Sequence, residues 1–304
     1  MGEKKGLLLA MLAAVVSGVS IFVNGFAVQE SNPAVFALLK NAVVAALLVS
    51  AIMLFRKWGA VKILSGRQWL SLSAIGLIGG SAPFLLFFYA LKMTTAINAG
   101  FLHKTLFLWS ALLAVILLRE KISKSYAIGA ALLLAGNFMF FSISSFGMPE
   151  AMVLAATLLW AAENTLSKHV LKGLSGSVVA LGRMLFGALF IALFLAATGQ
   201  LAAAAEITAV QLQWALVSAA FLFAYVSIWY SGLKEIPLHK ATAVLLLAQP
   251  ITVFLSFAFL GKQLAVSQAF GFLLAIAGVF LAAAYGYSAQ AVRLKVPFFA
   301  AKRN

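Results

Sequence analysis

A few charged and polar side chains stand inside long apolar stretches of this sequence, and their chemistry bounds what the chain can do. The basic ones are Lys40, Lys104 and Arg183, and the carboxylate is Glu163; His103 and Asn41 adjoin two of them. A charge at the centre of a bilayer costs about 2.5–3.5 kcal/mol on insertion scales, so such residues face a bundle interior or a watery cavity. The set is poorly equipped for catalysis. There is no Asp and no carboxylate pair at metal-ligand spacing, and His103, His169 and His239 fall on separate segments. A glycine-rich phosphate loop ending in Gly-Lys-Ser or Gly-Lys-Thr is also missing. No enzyme chemistry, cofactor, metal site or ATP-driven motor is expected.

Composition dictates the elements that hold these residues. The 304 residues are 64% hydrophobic and 10% charged, with mean hydropathy +1.07, far outside the soluble globular range. A helix needs roughly 20 mostly apolar residues to cross the hydrocarbon core. Continuous runs of that kind are predicted at 6–27, 33–55, 68–90, 93–118, 123–143, 148–167, 176–197, 209–233, 237–260 and 264–287. None alternates as barrel strands do. An all-α fold of ten transmembrane helices follows. The first run comes after Lys4 and Lys5, as in a secretion signal, but its length and the want of a cleavage site mark it as a helix of the fold.

The net charge of +15 is arranged for topology and acidic lipid headgroups rather than for nucleic acid. Lys4, Lys5, Arg56, Lys57, Lys62, Arg67, Arg119, Lys121, Lys124, Lys168, Lys172, Lys234, Lys240, Arg293, Lys295, Lys302 and Arg303 fall at the termini and in alternate loops. The opposite loops hold only Lys92 and Lys262. This asymmetry places both termini, including the basic tail 288–304, in the cytoplasm. The lack of cysteine excludes disulfides and thiolate metal sites.

Depth along the runs ranks the polar residues. Lys104 stands about twelve residues into the fourth run, roughly 18 Å at 1.5 Å per residue, too deep to snorkel. It and His103, a residue suited to sensing protons, either line a solute cavity or form a structural polar pair. Lys40, about seven residues into the second run, either serves a substrate or gating role or extends its stem to the headgroups. Arg183 and Glu163 lie at similar depth toward the cytoplasmic end, and buried charges are normally paired. An Arg183–Glu163 ion pair is therefore expected, as a static brace or as an inner gate. Trp160, Glu163, Asn164 and Ser167 recur at i, i+3, i+4 and i+7, and Ser17, Ser20 and Asn24 form a second stripe. Such faces turn inward, toward substrate or toward another helix. Gly79-Gly80-Ser81-Ala82-Pro83 and Gln249-Pro250 interrupt the third and ninth runs and are the expected bending points. Among Phe84, Phe88, Tyr89, Phe223, Tyr225, Trp229 and Tyr230, packing and interface belts account for most, and Tyr225 is the one expected in a cavity. The substrate-binding set is thus Lys104, His103, Lys40, Trp160, Asn164 and Tyr225; the gating set is Glu163, Arg183, Pro83 and Pro250.

The halves of the chain match at one constant shift. Moving 142 positions carries Gly129 onto Gly271, Ala135-Gly136 onto Ala277-Gly278, Leu12-Ala13-Ala14 onto Leu154-Ala155-Ala156, and Leu91-Lys92 onto Leu233-Lys234. Five helices per half is an odd number, so the second copy enters the membrane in the opposite sense. Inverted repeats of this kind recur in secondary transporters, with the substrate site between the halves. Each half ends alike: Leu117-Leu118-Arg119-Glu120-Lys121 with Gly129 and Ala135-Gly136, then Leu260-Gly261-Lys262 with Gly271 and Ala277-Gly278. With Trp160 and Pro250, these residues resemble the drug/metabolite transporter superfamily and its EamA-type repeats. Ser17 through Asn24, Leu39-Lys40-Asn41 and His103-Lys104-Thr105 are similar to bacterial exporters of the YddG amino-acid type. Gly18, Leu108 and Lys262 depart from the family pattern.

The resemblance implies two repeats, 1–145 and 146–287, enclosing a central cavity. It implies export of amino acids or related metabolites across a bacterial inner membrane by alternating access. Three interior cations and one anion suit a substrate with a carboxylate, which Lys104 and Lys40 would meet. Efflux of purines or drugs is the nearest rival, then a membrane-embedded enzyme acting on a lipid carrier, then a passive channel. Proton coupling through His103 or Glu163 and simple facilitation are equally compatible. The expected partners are the bilayer and a small-molecule substrate, and the protein is expected to be a monomer.

Overall fold

The computed structural model describes residues 2–139, 146–261 and 265–284. The 145/146 repeat boundary, Lys262 and the basic tail from 288 to 304 lie outside the described residues. Within them every regular element is helical. The chain forms α1 (Gly2–Ala27), α2 (Pro33–Leu54), a short α3 (Gly59–Lys62) and α4 (Gly66–Ile75), which runs on through a π-helical turn (Gly76–Ser81) into α5 (Ala82–Met93). Next come α6 (Ala96–Lys104), α7 (Leu106–Leu118), α8 (Lys124–Phe138), α9 (Met148–Val170), α10 (Gly176–Ala197) and α11 (Ala209–Glu235). Finally α12 (Leu238–Val244) passes through a 3-10 turn (Leu245–Leu247) into α13 (Ala248–Leu260), and α14 covers Val266–Ala284.

Local chemistry sets these boundaries. Asn32 accepts hydrogen bonds from the Ala34 and Val35 N–H groups and Pro33 opens α2, both favourable at a helix start. Ser65 with Gln68 and Thr208 with Gln211 form reciprocal capping boxes. Gly261 ends α13 at φ 62°, a left-handed conformation open to glycine. Within the described residues helix occupies part or all of each predicted run, with the described ends shifted by a few residues. Among the described residues, seven stretches are long and apolar enough to cross a bilayer: 2–27, 33–54, 66–93, 96–118, 176–197, 209–235 and 238–260. Of the others, α9 carries the polar stripe, and α8 and α14 are shorter.

Packing is inside-out compared with a water-soluble bundle. Leu8, Met11, Leu12 and Val15 face outward along α1, as do Leu185, Leu189 and Leu193 along α10. The interior is built from small residues such as Ala10, Ala13 and Ala14 on α1, which let backbones approach closely. At the α8–α14 seam a methyl on Gly129 would sit 2.5 Å from the Ala282 nitrogen, and one on Gly136 would sit 2.8 Å from the Gly271 oxygen. Position 129 therefore faces 282 while 136 faces 271, so these helices run antiparallel.

Contacts repeat with the halves exchanged. α1 packs on α11 and α13 as α9 packs on α5 and α7, while α2 pairs with α10 and α8 with α14. Loops sort to two ends of the bundle. At one end Lys240 pairs with Glu3 at 2.8 Å, Glu120 meets Leu238 and His239, and Lys168 holds three carbonyls closing α11. At the other, Lys92 reaches the Ser31 carbonyl, Thr94 reaches Glu150, and Gln211 reaches the Glu30 carbonyl. The charge pattern groups the loops in the same way.

Candidate functional site

A partly open cavity lies between α1, α2, α5, α6, the start of α7, α9, α10 and α11. Most of its lining is withdrawn from solvent; Ser20, His103 and Tyr225 are half-buried. The lining is part aromatic, through Phe84, Phe87, Phe88 and Trp160, and part polar, through Ser17, Ser20 and Asn24 of the α1 stripe and Lys40.

The rods reach the cavity through their irregularities. Thr105 turns its hydroxyl back onto the Leu102 carbonyl at 2.7 Å, which ends α6 and leaves His103 and Lys104 on its last turn. The His103 ring lies 4.7 Å from that of Trp160. In the π-helical turn, side chains from three other helices take the carbonyls. Trp160 Nε1 donates to Gly79 O at 2.9 Å, Arg183 Nε donates to the same oxygen at 3.2 Å, and Asn41 Nδ2 donates to Gly80 O. Freed carbonyls inside a membrane must find donors, and these donors tie the turn to α9, α10 and α2. Pro83 opens α5 immediately after the turn, and Pro250 stands in the first turn of α13 after the 3-10 segment.

Lys40 projects into the cavity and does not snorkel. It is 1% exposed, donates to Asn24 Oδ1 at 3.0 Å, and lies 5.1 and 4.8 Å from the ring centres of Phe36 and Phe88. Among the described residues it has no carboxylate partner. Two aromatic faces and an amide oxygen therefore carry the stabilisation of this ammonium. Lys104 is placed differently. It donates to Ser17 Oγ at 3.3 Å behind the wall, and does not itself line the cavity. Of the two lysines expected at a substrate carboxylate, Lys40 is the one on the cavity wall. Helix direction decides this: at the last turn of α6, His103 points to the cavity and Lys104 to α1.

Arg183 and Glu163 form an ion pair at 3.7 Å, with side chains 5% and 0% exposed. Tyr230 bridges them: its hydroxyl accepts from Arg183 NH1 at 3.1 Å and donates to Glu163 Oε1 at 2.6 Å. Ser167 donates to the same carboxylate oxygen. Only Arg183 of the pair reaches the cavity wall. Asn164 and Tyr225 also line it, and Asn164 Oδ1 accepts from Trp229 Nε1 at 2.9 Å. The structure thus brings Lys40, His103, Trp160, Asn164, Tyr225 and Arg183 around one space, with Lys104 and Glu163 behind it and Pro83 and Pro250 at rod interruptions. Sequence reading missed Phe87 and the bridging role of Tyr230. The spacing of Phe84, Phe87 and Phe88 at i, i+3 and i+4 was the available signal for the first; the second depends on α11 meeting α9 and α10.

Apolar rods, lipid-facing Leu and Val rows and an ionic interior around a hollow define a multi-pass membrane protein. The EamA-like transporter family matches residues 4–142 and 148–284, and the chain belongs to that family. A transporter of uncharacterised function from Archaeoglobus fulgidus is 27% identical over 294 residues, covering 93% of this chain and 99% of that protein. An uncharacterised transporter from a Sinorhizobium species is 27% identical over 130 residues, 43% of this chain and 92% of that one. A solved crystal structure shares the fold with a TM-score of 0.71 at 17% identity, over 90% of this chain and 95% of the other.

Proposed function

We propose that this transporter exports amino acids or related small metabolites bearing a carboxylate, by alternating access. The observation that carries the reading is Lys40: a buried ammonium on the wall of a partly open cavity, with no carboxylate among the described residues to neutralise it. An uncompensated buried charge is costly, and a solute carboxylate would relieve that cost on entry. The aromatic wall would receive the solute's side chain. Lining cations disfavour cationic drugs.

Two inverted five-helix repeats, 1–145 and 146–287, making ten spans, account for the exchange of contacts between halves and for the antiparallel α8–α14 seam. Both termini lie in the cytoplasm of a bacterial cell under this reading, which the sorting of loop charges supports. The Arg183–Glu163–Tyr230 cluster then sits toward the cytoplasmic side of the cavity and closes it there, while the π-helical turn and the Pro250 region absorb bending. One protomer encloses the path, so a monomer suffices.

Counterflow tests the proposal. Purified protein in liposomes preloaded with an unlabelled amino acid mixture should accumulate labelled amino acid from outside, and Lys40→Gln should reduce the rate at least tenfold. Absence of trans-stimulated uptake for every carboxylate-bearing solute tried would refute it.

A further inference from the structure

The donor and acceptor inventory of the cavity is lopsided. Its amide oxygens are already engaged: Asn24 Oδ1 accepts from Lys40, and Asn164 Oδ1 accepts from Trp229. The carbonyls of the π-helical turn are taken as well, Gly79 O by Trp160 and Arg183 and Gly80 O by Asn41. Glu163 lies behind Arg183, away from the wall, with Oε1 accepting from both Ser167 and Tyr230. For an incoming donor there remain the hydroxyls of Ser17, Ser20 and Tyr225 and the imidazole of His103; Ser17 Oγ already accepts from Lys104 and Ser20 Oγ from Asn24, each at 3.3 Å. Donors are in surplus. An ammonium carries three N–H bonds, and Lys40 uses one of its three on Asn24.

Charge is lopsided in the same direction. Lys40 and Lys104 have no carboxylate partner among the described residues, and the one buried carboxylate in this region faces Arg183. The α-carboxylate of an amino acid would be welcome here. Its α-ammonium would meet no carboxylate on the wall, only hydroxyls, aromatic faces and amide oxygens that already accept one hydrogen bond each, in a space whose uncompensated charges are both positive. Burying a further cation beside two that lack a counter-charge is unfavourable.

From this we infer that the site selects net-anionic carboxylates that lack an ammonium, such as 2-hydroxy or 2-oxo acids, over the corresponding zwitterionic amino acids. The inference rests on the reading above that this chain transports carboxylates, and within that class it ranks the related metabolites ahead of the amino acids. Lys40 is the residue that sets the preference. A hydroxyl or keto oxygen at the α-carbon adds a hydrogen-bond acceptor for the surplus donors and brings no second cation.

The test is equilibrium binding to the purified full-length protein in detergent, by titration calorimetry, with two matched sets of probes. One set is lactate, alanine and ethylamine; the other is 3-phenyllactate, phenylalanine and phenethylamine. Within the set that fits the cavity, the hydroxy acid is expected to bind at least tenfold more tightly than the amino acid, and the amine not at all. Lys40→Gln should bring the hydroxy acid and amino acid within about threefold of each other, and Lys40→Arg should keep the preference. The wild-type ratio decides the matter even where Lys40→Gln fails to purify. Equal or tighter binding of the amino acid, or of the amine, overturns the inference while leaving carboxylate transport standing. Binding of none of the six probes overturns it too, and the counterflow experiment then decides the broader reading separately.

Discussion

Replacing Arg183 with Gln removes the guanidinium beside Glu163 and leaves a side chain of shorter reach in a site where the carboxylate is 0% exposed. Two unit charges 3.7 Å apart attract by roughly 4–5 kcal/mol at an effective dielectric of 20. Stripping one partner from a buried pair costs about 3–5 kcal/mol, because the other charge is left without compensation. Arg183→Gln and Glu163→Gln should each destabilise the protein on that scale. The double variant should cost less than the sum by about 2–3 kcal/mol, since no orphaned charge remains. Charge reversal is a poorer test. A carboxylate at 183 would oppose the Gly79 carbonyl that Arg183 Nε now donates to, setting acceptor against acceptor. The assay is equilibrium unfolding by SDS titrated into mixed micelles, followed by helical circular dichroism. Additive losses, within about 0.5 kcal/mol, would refute the claim that these groups act as a pair.

Three further outcomes follow from the packing and the loop contacts. Gly80→Ala puts a methyl 2.2 Å from the Arg183 carbonyl oxygen and 3.0 Å from Gly187 Cα, both backbone. It should lose about 1–3 kcal/mol as an overpacked crossing, whereas Gly59→Ala, which meets nothing within 4 Å, should be close to neutral in the same titration. Lys168→Met removes the ammonium that holds the Leu233, Lys234 and Ile236 carbonyls; it should cost about 1–3 kcal/mol and speed amide exchange near the end of α11, with Lys168→Arg restoring most of the loss. At Glu120, burial pushes the carboxyl pKa up, but the His239 ring and the Leu238 and His239 N–H groups outweigh burial and hold it below the ordinary 4.5. A carboxylate with a depressed native pKa contributes stability above about pH 4.5, and that contribution is lost as pH falls through the native value. Glu120→Gln should therefore destabilise at pH 7 and flatten the acid limb below pH 4.5; an unchanged acid limb would contradict this.

Much of this molecule was determined locally by its sequence. In lipid a backbone must satisfy its own hydrogen bonds, so each long apolar run had to be helix, and the helices lie within a few residues of the predicted runs. Within the described residues, the loop charges fall into the two groups that the structure places at the two ends of the bundle. The Arg183–Glu163 pair was also legible, because a lone buried carboxylate at matching depth to a guanidinium has one inexpensive solution. The family motif glycines marked a helix but not its partner; that Gly129 and Gly136 face α14 emerges only when the helices cross.

Tertiary structure decided the rest. Depth in sequence ranked Lys104 above Lys40, yet Lys40 reaches the cavity and Lys104 lies behind Ser17. The direction of a side chain around its helix depends on the neighbours that helix packs against, here altered by the break at Thr105. The Tyr230 bridge and the triple clamp on the π-helical turn join residues up to 104 positions apart. Such contacts carry no local sequence signal, because helix propensity and hydropathy are properties of neighbouring residues, whereas a cavity wall is assembled from single turns of many helices.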